Sequence, residues 1–224
     1  MFPAIIFDLD GTLIDSVPDV RIALNTLLKE KKRREVTLDE AKELVGEGAR
    51  VLIEKGFAMT GNPVAEDEIG GFLARYLAFY KQHPADYTVI YPGVLQVLQS
   101  LKDQGLKLGI CTNKPMEMTE IVLKIMGLDV YFAGVCGDHP SLPKKPDPAM
   151  IKETLRRMGA ENLPAIMIGD SITDIKAARN ANIPVIAVAY GYAKIPPEQL
   201  GGDILIEEFA QLPAALKELW GKHA

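Results

Sequence analysis

Residues 4–12 read Ala-Ile-Ile-Phe-Asp-Leu-Asp-Gly-Thr. Four apolar residues run without a polar interruption, and two carboxylates and a glycine follow at once. An uninterrupted apolar run of this length is what a strand buried on both faces of a parallel sheet requires. Binding crevices in such sheets open at the carboxyl ends of the strands. Asp8 and Asp10 would stand at that edge. Two acids so close repel each other unless a cation or a shared proton intervenes, and a hard dication with oxygen ligands, Mg²⁺, meets the need. Gly11 permits a tight turn there, and Thr12 offers a hydroxyl and an N–H to a phosphate. Asp-x-Asp-Gly also opens calcium loops, but those need further spaced oxygens and a late glutamate, which this stretch lacks.

Similar apolar runs recur at Leu106–Cys111, Ala165–Ile168, Pro184–Val188 and Asp203–Ile206, with a short sixth expected at Val130–Val135. Helical patterns separate them, at Gly93–Gln104, Met116–Met126, Ala149–Met158, Ile172–Ala181 and Leu212–Trp220. Strand and helix in alternation predict βαβ units and an α/β, doubly wound parallel sheet, a Rossmann-like core. From Asp15 to Pro84 the alternation fails. Helices are expected instead at Val17–Lys31, Leu38–Val45, Ala49–Ala58 and Ala65–Gln82, the third ended early by Gly56. This predicts a core of residues 1–14 and 85–224 and an all-helical domain of residues 15–84 inserted after the first strand. The two crossings fall near Ile14–Val17 and His83–Ile90, flanked by Pro18, Pro84 and Pro92.

The composition narrows the function. The chain has 224 residues, 48% of them hydrophobic, and 25 basic against 30 acidic side chains give a net charge of −5. That balance speaks against nucleic-acid or anionic-membrane partners, which need a basic face. Two cysteines are too few for a disulfide framework or a structural zinc site. No apolar run has the length of a membrane span, and the first residues lack the basic start of a signal peptide. A cytoplasmic protein is expected.

Three further strand ends carry polar residues of one complementary kit. Thr112 and Asn113 follow the second confident strand; they suit a phosphoryl oxygen or a helix N-cap. Lys144 and Lys145 sit in a proline-stiffened loop, Leu142–Pro148, and one of them held this way can neutralise a carboxylate and a phosphoryl oxygen together. Asp170 and Asp174 bracket the start of a helix after Gly169, either as site carboxylates or as simple caps. Carboxylates for Mg²⁺, one lysine and a few donors at adjacent strand ends fit phosphoryl transfer, where catalysis is mainly positioning and charge neutralisation.

The ordered set DLDGT, TN, KP and GDSITD resembles the haloacid dehalogenase-like superfamily, in its phosphatase branch, over nearly the whole chain. The helical insert resembles that superfamily's cap. Val45–Ala49 resembles the cap loop of phosphoglycolate phosphatases, with Glu47 standing where the family often has Asn or Gln between the glycines. Thr112–Lys114, the stretch from Gly137-Asp138 to Lys145-Pro146, and Ala189–Tyr192 resemble the same group. The resemblance implies Asp8 as nucleophile, Asp10 as general acid and then base, and Lys145 as the partner of Asp8 and the phosphate, with Lys144 the competing choice. It implies Mg²⁺ on the Asp8 carboxylate, the Asp10 carbonyl and Asp170, supported by Asp174. It implies phosphoryl contacts from Gly11, Thr112 and Asn113, and a cap loop, Gly46, Glu47, Gly48, Ala49 and Arg50, that reads the leaving group. The expected partner is a small phosphomonoester, 2-phosphoglycolate first. The alternatives are another small phosphorylated acid or sugar, or a sugar-phosphate mutase.

Overall fold

The computed structural model describes residues 2–223; residues 1 and 224, at the ends of the expected core, lie outside them. In chain order the elements are β1 (Ala4–Phe7), β2 (Ile14–Asp15), α1 (Val17–Glu30), α2 (Leu38–Leu44), α3 (Ala49–Thr60), α4 (Glu66–Gln82) and β3 (Val89–Ile90). Then come α5 (Val94–Asp103), β4 (Lys107–Pro115), α6 (Met116–Ile125), β5 (Gly134–Asp138), α7 (Ala149–Arg157) and β6 (Ala165–Gly169). The chain closes with α8 (Ile172–Asn180), β7 (Val185–Val188), β8 (Ile204–Ile206) and α9 (Leu212–His223).

Six strands form one parallel sheet in the order β5-β4-β1-β6-β7-β8. β1 lies inside it, with Phe7 in register with Ile110 of β4 and Ile168 of β6. Alternate residues of β1 serve opposite faces. Ile5 and Phe7 join the apolar cluster under α5 and α9, while Ala4 and Ile6 join the one under α7 and α8. Both faces are buried, which is why the run carries no polar residue. Strand order reverses at β1: β4 and β5 lie to one side, β6, β7 and β8 to the other. The crevice therefore falls at the end of β1, where Asp8 begins the loop.

α1 to α4 pack around an apolar cluster of their own, with Leu24, Leu27, Ile53, Phe57, Phe72, Tyr76 and Tyr80 in it. Met118 and Tyr192 from the sheet half complete that cluster, so the helices sit directly over the strand ends. Both chain crossings run through a two-stranded antiparallel pair, Ile14 opposite Ile90 and Asp15 opposite Val89.

Four expectations are corrected. The second confident strand does not stop at Cys111; β4 continues to Pro115, with an irregular stretch before Pro115 pairs with Asp138. The sixth strand is Gly134–Asp138 rather than Val130–Val135, because Val130 is exposed in a single 3-10 turn, Asp129–Tyr131. Gly56 does not end α3. A Cβ there would stand 2.8 Å from Leu24 Cδ2, so the glycine lets α3 pack closely on α1. The crossings expected as plain linkers hold β2 and β3, each too short to show any periodicity.

Candidate active site

Asp8 leaves β1 with its N–H donating to Ile168 O at 2.9 Å, which fixes it against β6. Asp170 follows β6, and Asp174 is in the first turn of α8. Ser171 and Asp174 form a capping box: Asp174 Oδ2 accepts from the Ser171 N–H at 3.1 Å and its hydroxyl at 2.6 Å. A reciprocal cap of this kind points the Asp174 side chain back toward the strand ends. Lys145 reaches the same place from the loop before α7. Its ammonium donates to Asp174 Oδ1 at 2.6 Å and to Cys111 O at 2.8 Å, and stands 2.9 Å from Asp8 Oδ1. Lys144 turns elsewhere, to Asp138 Oδ2 at 2.8 Å.

Glycines make room for this cluster. A Cβ on Gly11 would lie 2.3 Å from Asp170 Oδ2, one on Gly191 2.3 Å from Asp170 Cβ, and one on Gly169 2.4 Å from Asp174 Cβ. Gly11 also needs its positive φ of 86° for the turn after Asp10. Asp170 accepts from the Tyr192 N–H at 2.7 Å and from the Thr12 hydroxyl at 3.3 Å.

The electrostatics are unbalanced. Asp8, Asp170 and Asp174 are all buried, with carboxylate oxygens within 4.8 Å of one another. Among the described residues one ammonium, Lys145, is bonded into the group. Burial pushes the Asp8 carboxyl up to about 7, against the pull of Lys145. Burial, then the charges of Asp174 and Asp8, hold Asp170 well above the usual carboxylate range. For Lys145 burial opposes the charge, but Asp174 and Asp8 prevail and keep the ammonium protonated. Asp8 Oδ1 is itself buried without an aligned hydrogen-bond donor, for Lys145 is near it but off line. An excess of buried carboxylate oxygen with one orphaned atom is a donor set that fits a hard dication.

Asp10 belongs to a second group. Its Oδ1 accepts from the Ser16 hydroxyl at 2.5 Å, and both oxygens accept from Lys114 Nζ, at 3.1 and 3.2 Å. Lys114 Nζ also donates to Tyr80 Oη at 2.7 Å. Neither Lys114 nor Tyr80 was given a site role by the sequence reading. The signal was available: with the strand carried past Cys111, Thr112 and Lys114 fall on one face.

The remaining expected residues are placed as follows. Thr112 is buried, and its Oγ1 accepts from the Lys114 N–H at 3.2 Å. Asn113 Nδ2 donates to Lys145 O and to Gly46 O, both at 3.1 Å, and its Oδ1 accepts from the Lys145 N–H at 3.0 Å. Gly46 and Gly48 take positive φ, 107° and 94°. With Ala49 they line a cavity that also touches Asp8, Asp10, Thr112 and Asn113. Glu47 lines a neighbouring cavity of about 530 Å³ on the Asp170 side. There it accepts from Lys55 at 2.7 Å and from Lys194 at 2.9 Å, which helps hold its carboxyl below the usual range. Arg50 is exposed and paired with Glu54 and Glu66.

The sequence profile of the haloacid dehalogenase-like hydrolases matches residues 5–188. The chain belongs to that family. Within these hydrolases it is similar to a phosphoglycolate phosphatase of Rhodospirillum rubrum, 40% identical over 93% of this chain and 88% of the relative. One from Agrobacterium fabrum is 39% identical over 96% and 93%. A crystal structure of a predicted phosphoglycolate phosphatase from Haemophilus somnus superposes with a TM-score of 0.87 at 31% identity, over 96% of this chain and 98% of that one. The chain is thus a phosphoglycolate phosphatase-like haloacid dehalogenase-like hydrolase. Among its described residues no helix is long and apolar enough to cross a membrane.

Proposed function

We propose that this phosphoric monoester hydrolase acts on a small acidic phosphomonoester, 2-phosphoglycolate first, through an aspartyl-phosphate on Asp8. The observation that carries the reading is the Asp8 carboxylate, buried at the strand-order switch with Lys145 beside it and Asp10 lining the same cavities.

Asp8 attacks phosphorus, the ester bond to the leaving oxygen breaks, and Asp10 gives that oxygen a proton. Asp10 then takes a proton from water, which attacks the aspartyl-phosphate, frees phosphate and restores Asp8. Lys145 offsets the charge of Asp8 and of the phosphoryl oxygens throughout. The Thr112 hydroxyl, Asn113 and the Gly11 turn would meet the phosphoryl oxygens, although the Asn113 side-chain amide here donates to Gly46 O and Lys145 O. Asn113 also fixes the main chain that carries Lys145.

Mg²⁺ fits the acid cluster, held by Asp8, Asp170 and the Asp10 main-chain carbonyl. When bound it supplies charge that draws phosphate in and lets Asp8 remain ionised. Asp174, its oxygens taken by Lys145 and Ser171, acts from behind by orienting the others.

Residues 15–84 serve as a cap over the core of residues 1–14 and 85–224. Their own apolar cluster, which meets the core through Met118 and Tyr192, and the paired crossings support a unit that moves as a body. Its loop Gly46–Arg50 reads the leaving group, and closure excludes water from a substrate too small to cover the site itself. Two buried free thiols, Cys111 and Cys136, suit a reducing cytoplasm.

A panel of phosphomonoesters with Mg²⁺ tests the reading. 2-Phosphoglycolate should exceed a generic aryl phosphate in kcat/KM by at least tenfold. Equal turnover of the two removes the substrate assignment, and no turnover of any ester removes the phosphatase itself.

A further inference from the structure

We infer that Lys114, with the hydroxyls of Tyr80 and Tyr76, receives the anionic end of the leaving group. They would thereby select alcohols that carry a carboxylate one carbon from the phosphorylated oxygen. The inference rests on the phosphomonoesterase reading above and adds the residues that choose the substrate.

The cavity is lined by Asp8 and Asp10 and has apolar walls from Val20, Val45, Leu52 and Pro115. Lys114 is the one cationic side chain among the described residues that line it. Its side chain is 3% exposed, so the charge is withheld from bulk water and is met inside the site, by Asp10 and the Tyr80 hydroxyl until an anion joins them. Cations on the walls of mostly apolar pockets fix the orientation of a charged ligand.

Tyr76 separates recognition from mere support of Asp10. It lines the same cavity one turn before Tyr80 on α4, its ring is 2% exposed, and Lys114 and Asp10 act on it electrostatically. Yet its hydroxyl makes no hydrogen bond with any described residue, whereas Tyr80 Oη is bonded to Lys114. The Tyr76 hydroxyl is not sealed in the core, and it is free to bond a ligand in the cavity that Tyr76 lines. A device that only held Asp10 would need no second, free hydroxyl beside it.

Distance selects the ligand. To protonate the leaving oxygen, Asp10 must lie within hydrogen-bond reach of it. Lys114 Nζ is 3.1 and 3.2 Å from the two Asp10 oxygens. An anion that meets Lys114 must therefore sit close to the ester oxygen, as the carboxylate of a phosphorylated 2-hydroxy acid does. A neutral alcohol leaves Tyr76 without a partner and Lys114 with Asp10 and Tyr80 alone, and sites built on polar contacts reject such analogues strongly.

The experiment compares kcat/KM for 2-phosphoglycolate and for ethyl phosphate, in which a methyl group replaces the carboxylate, in the parent, Lys114→Met and Tyr76→Phe. The parent should prefer 2-phosphoglycolate by about 10³-fold or more. Lys114→Met should reduce that ratio to below about tenfold, and Lys114→Arg should recover part of it. Tyr76→Phe should raise KM for 2-phosphoglycolate about tenfold while lowering kcat less. If Lys114→Met lowers both substrates by the same factor, Lys114 serves Asp10 alone and the inference is overturned. A parent that does not distinguish the two esters overturns it as well. Should Lys114→Met fail to fold, glycolate inhibition of ethyl phosphate turnover decides: Tyr76→Phe should weaken it, and a parent insensitive to glycolate overturns the inference. A parent that hydrolyses neither ester refutes the phosphatase reading instead.

Discussion

Replacing Lys145 by methionine keeps much of the side-chain volume and removes the charge. The parent ammonium is 2.6 Å from Asp174, 2.8 Å from Cys111 O and 2.9 Å from Asp8, on a side chain 2% exposed. The variant leaves Asp8, Asp170 and Asp174 buried together without their cation. Breaking a buried pair from one side costs about 3–5 kcal/mol, a large part of the roughly 5–15 kcal/mol that holds a domain of ordinary stability. The cost depends on pH. The Asp8 carboxyl is already pushed up to about 7 with Lys145 present, so it rises further without it. The unfolded chain has the ordinary value near 3.8. The folded state thus binds the extra proton, and its stability falls as pH rises between the two values. Urea unfolding without divalent cation should show a loss of about 3–5 kcal/mol at pH 8 and a smaller loss at pH 5.5. Turnover should fall by more than about 10³-fold. A variant as stable as the parent at pH 8, or one that keeps a tenth of its activity, would refute the account of the acid cluster.

Three other outcomes follow from the same geometry. Asp8→Asn should abolish turnover, since the amide is a poor nucleophile, yet raise the Tm of the metal-free protein by removing a buried charge. Mg²⁺ should raise the Tm of the parent more at pH 8 than at pH 5, because below about 7 a proton competes for Asp8; an equal rise at both would place the cation elsewhere. Gly56→Ala improves helix propensity by about 1 kcal/mol, but its Cβ would fall 2.8 Å from Leu24 Cδ2. The clash should win, with a net loss of about 1–2 kcal/mol in urea unfolding; a stabilised variant would show that Leu24 moves aside freely.

The sheet was legible because β1, β6 and β7 are buried on both faces and so must be apolar throughout. The gathering of Asp8 and Asp170 follows from that alone, since strand ends in a parallel sheet share one edge. The choice between Lys144 and Lys145 was not available from spacing. Neighbours in an irregular loop point in unrelated directions, and Asn113, bonded to the Lys145 main chain, fixes which one turns inward. Lys114 escaped notice because polar residues inside β4 read as the end of the strand. Gly56 was misread because a glycine late in a helical pattern looks alike whether it stops the helix or admits a neighbour.

The paired crossings would give the proposed cap one easy way to swing. Ile14–Asp15 and Val89–Ile90 lie side by side, so a helical layer that moved as the proposed cap would turn about them as a door turns on two adjacent pins. Asp15 on one pin accepts from the Tyr192 hydroxyl at 2.7 Å, and the Tyr192 main chain holds Asp170 at 2.7 Å. The frame of the door would thereby be geared to a carboxylate at the bottom of the room, and admitting a molecule and setting that carboxylate would become parts of one movement.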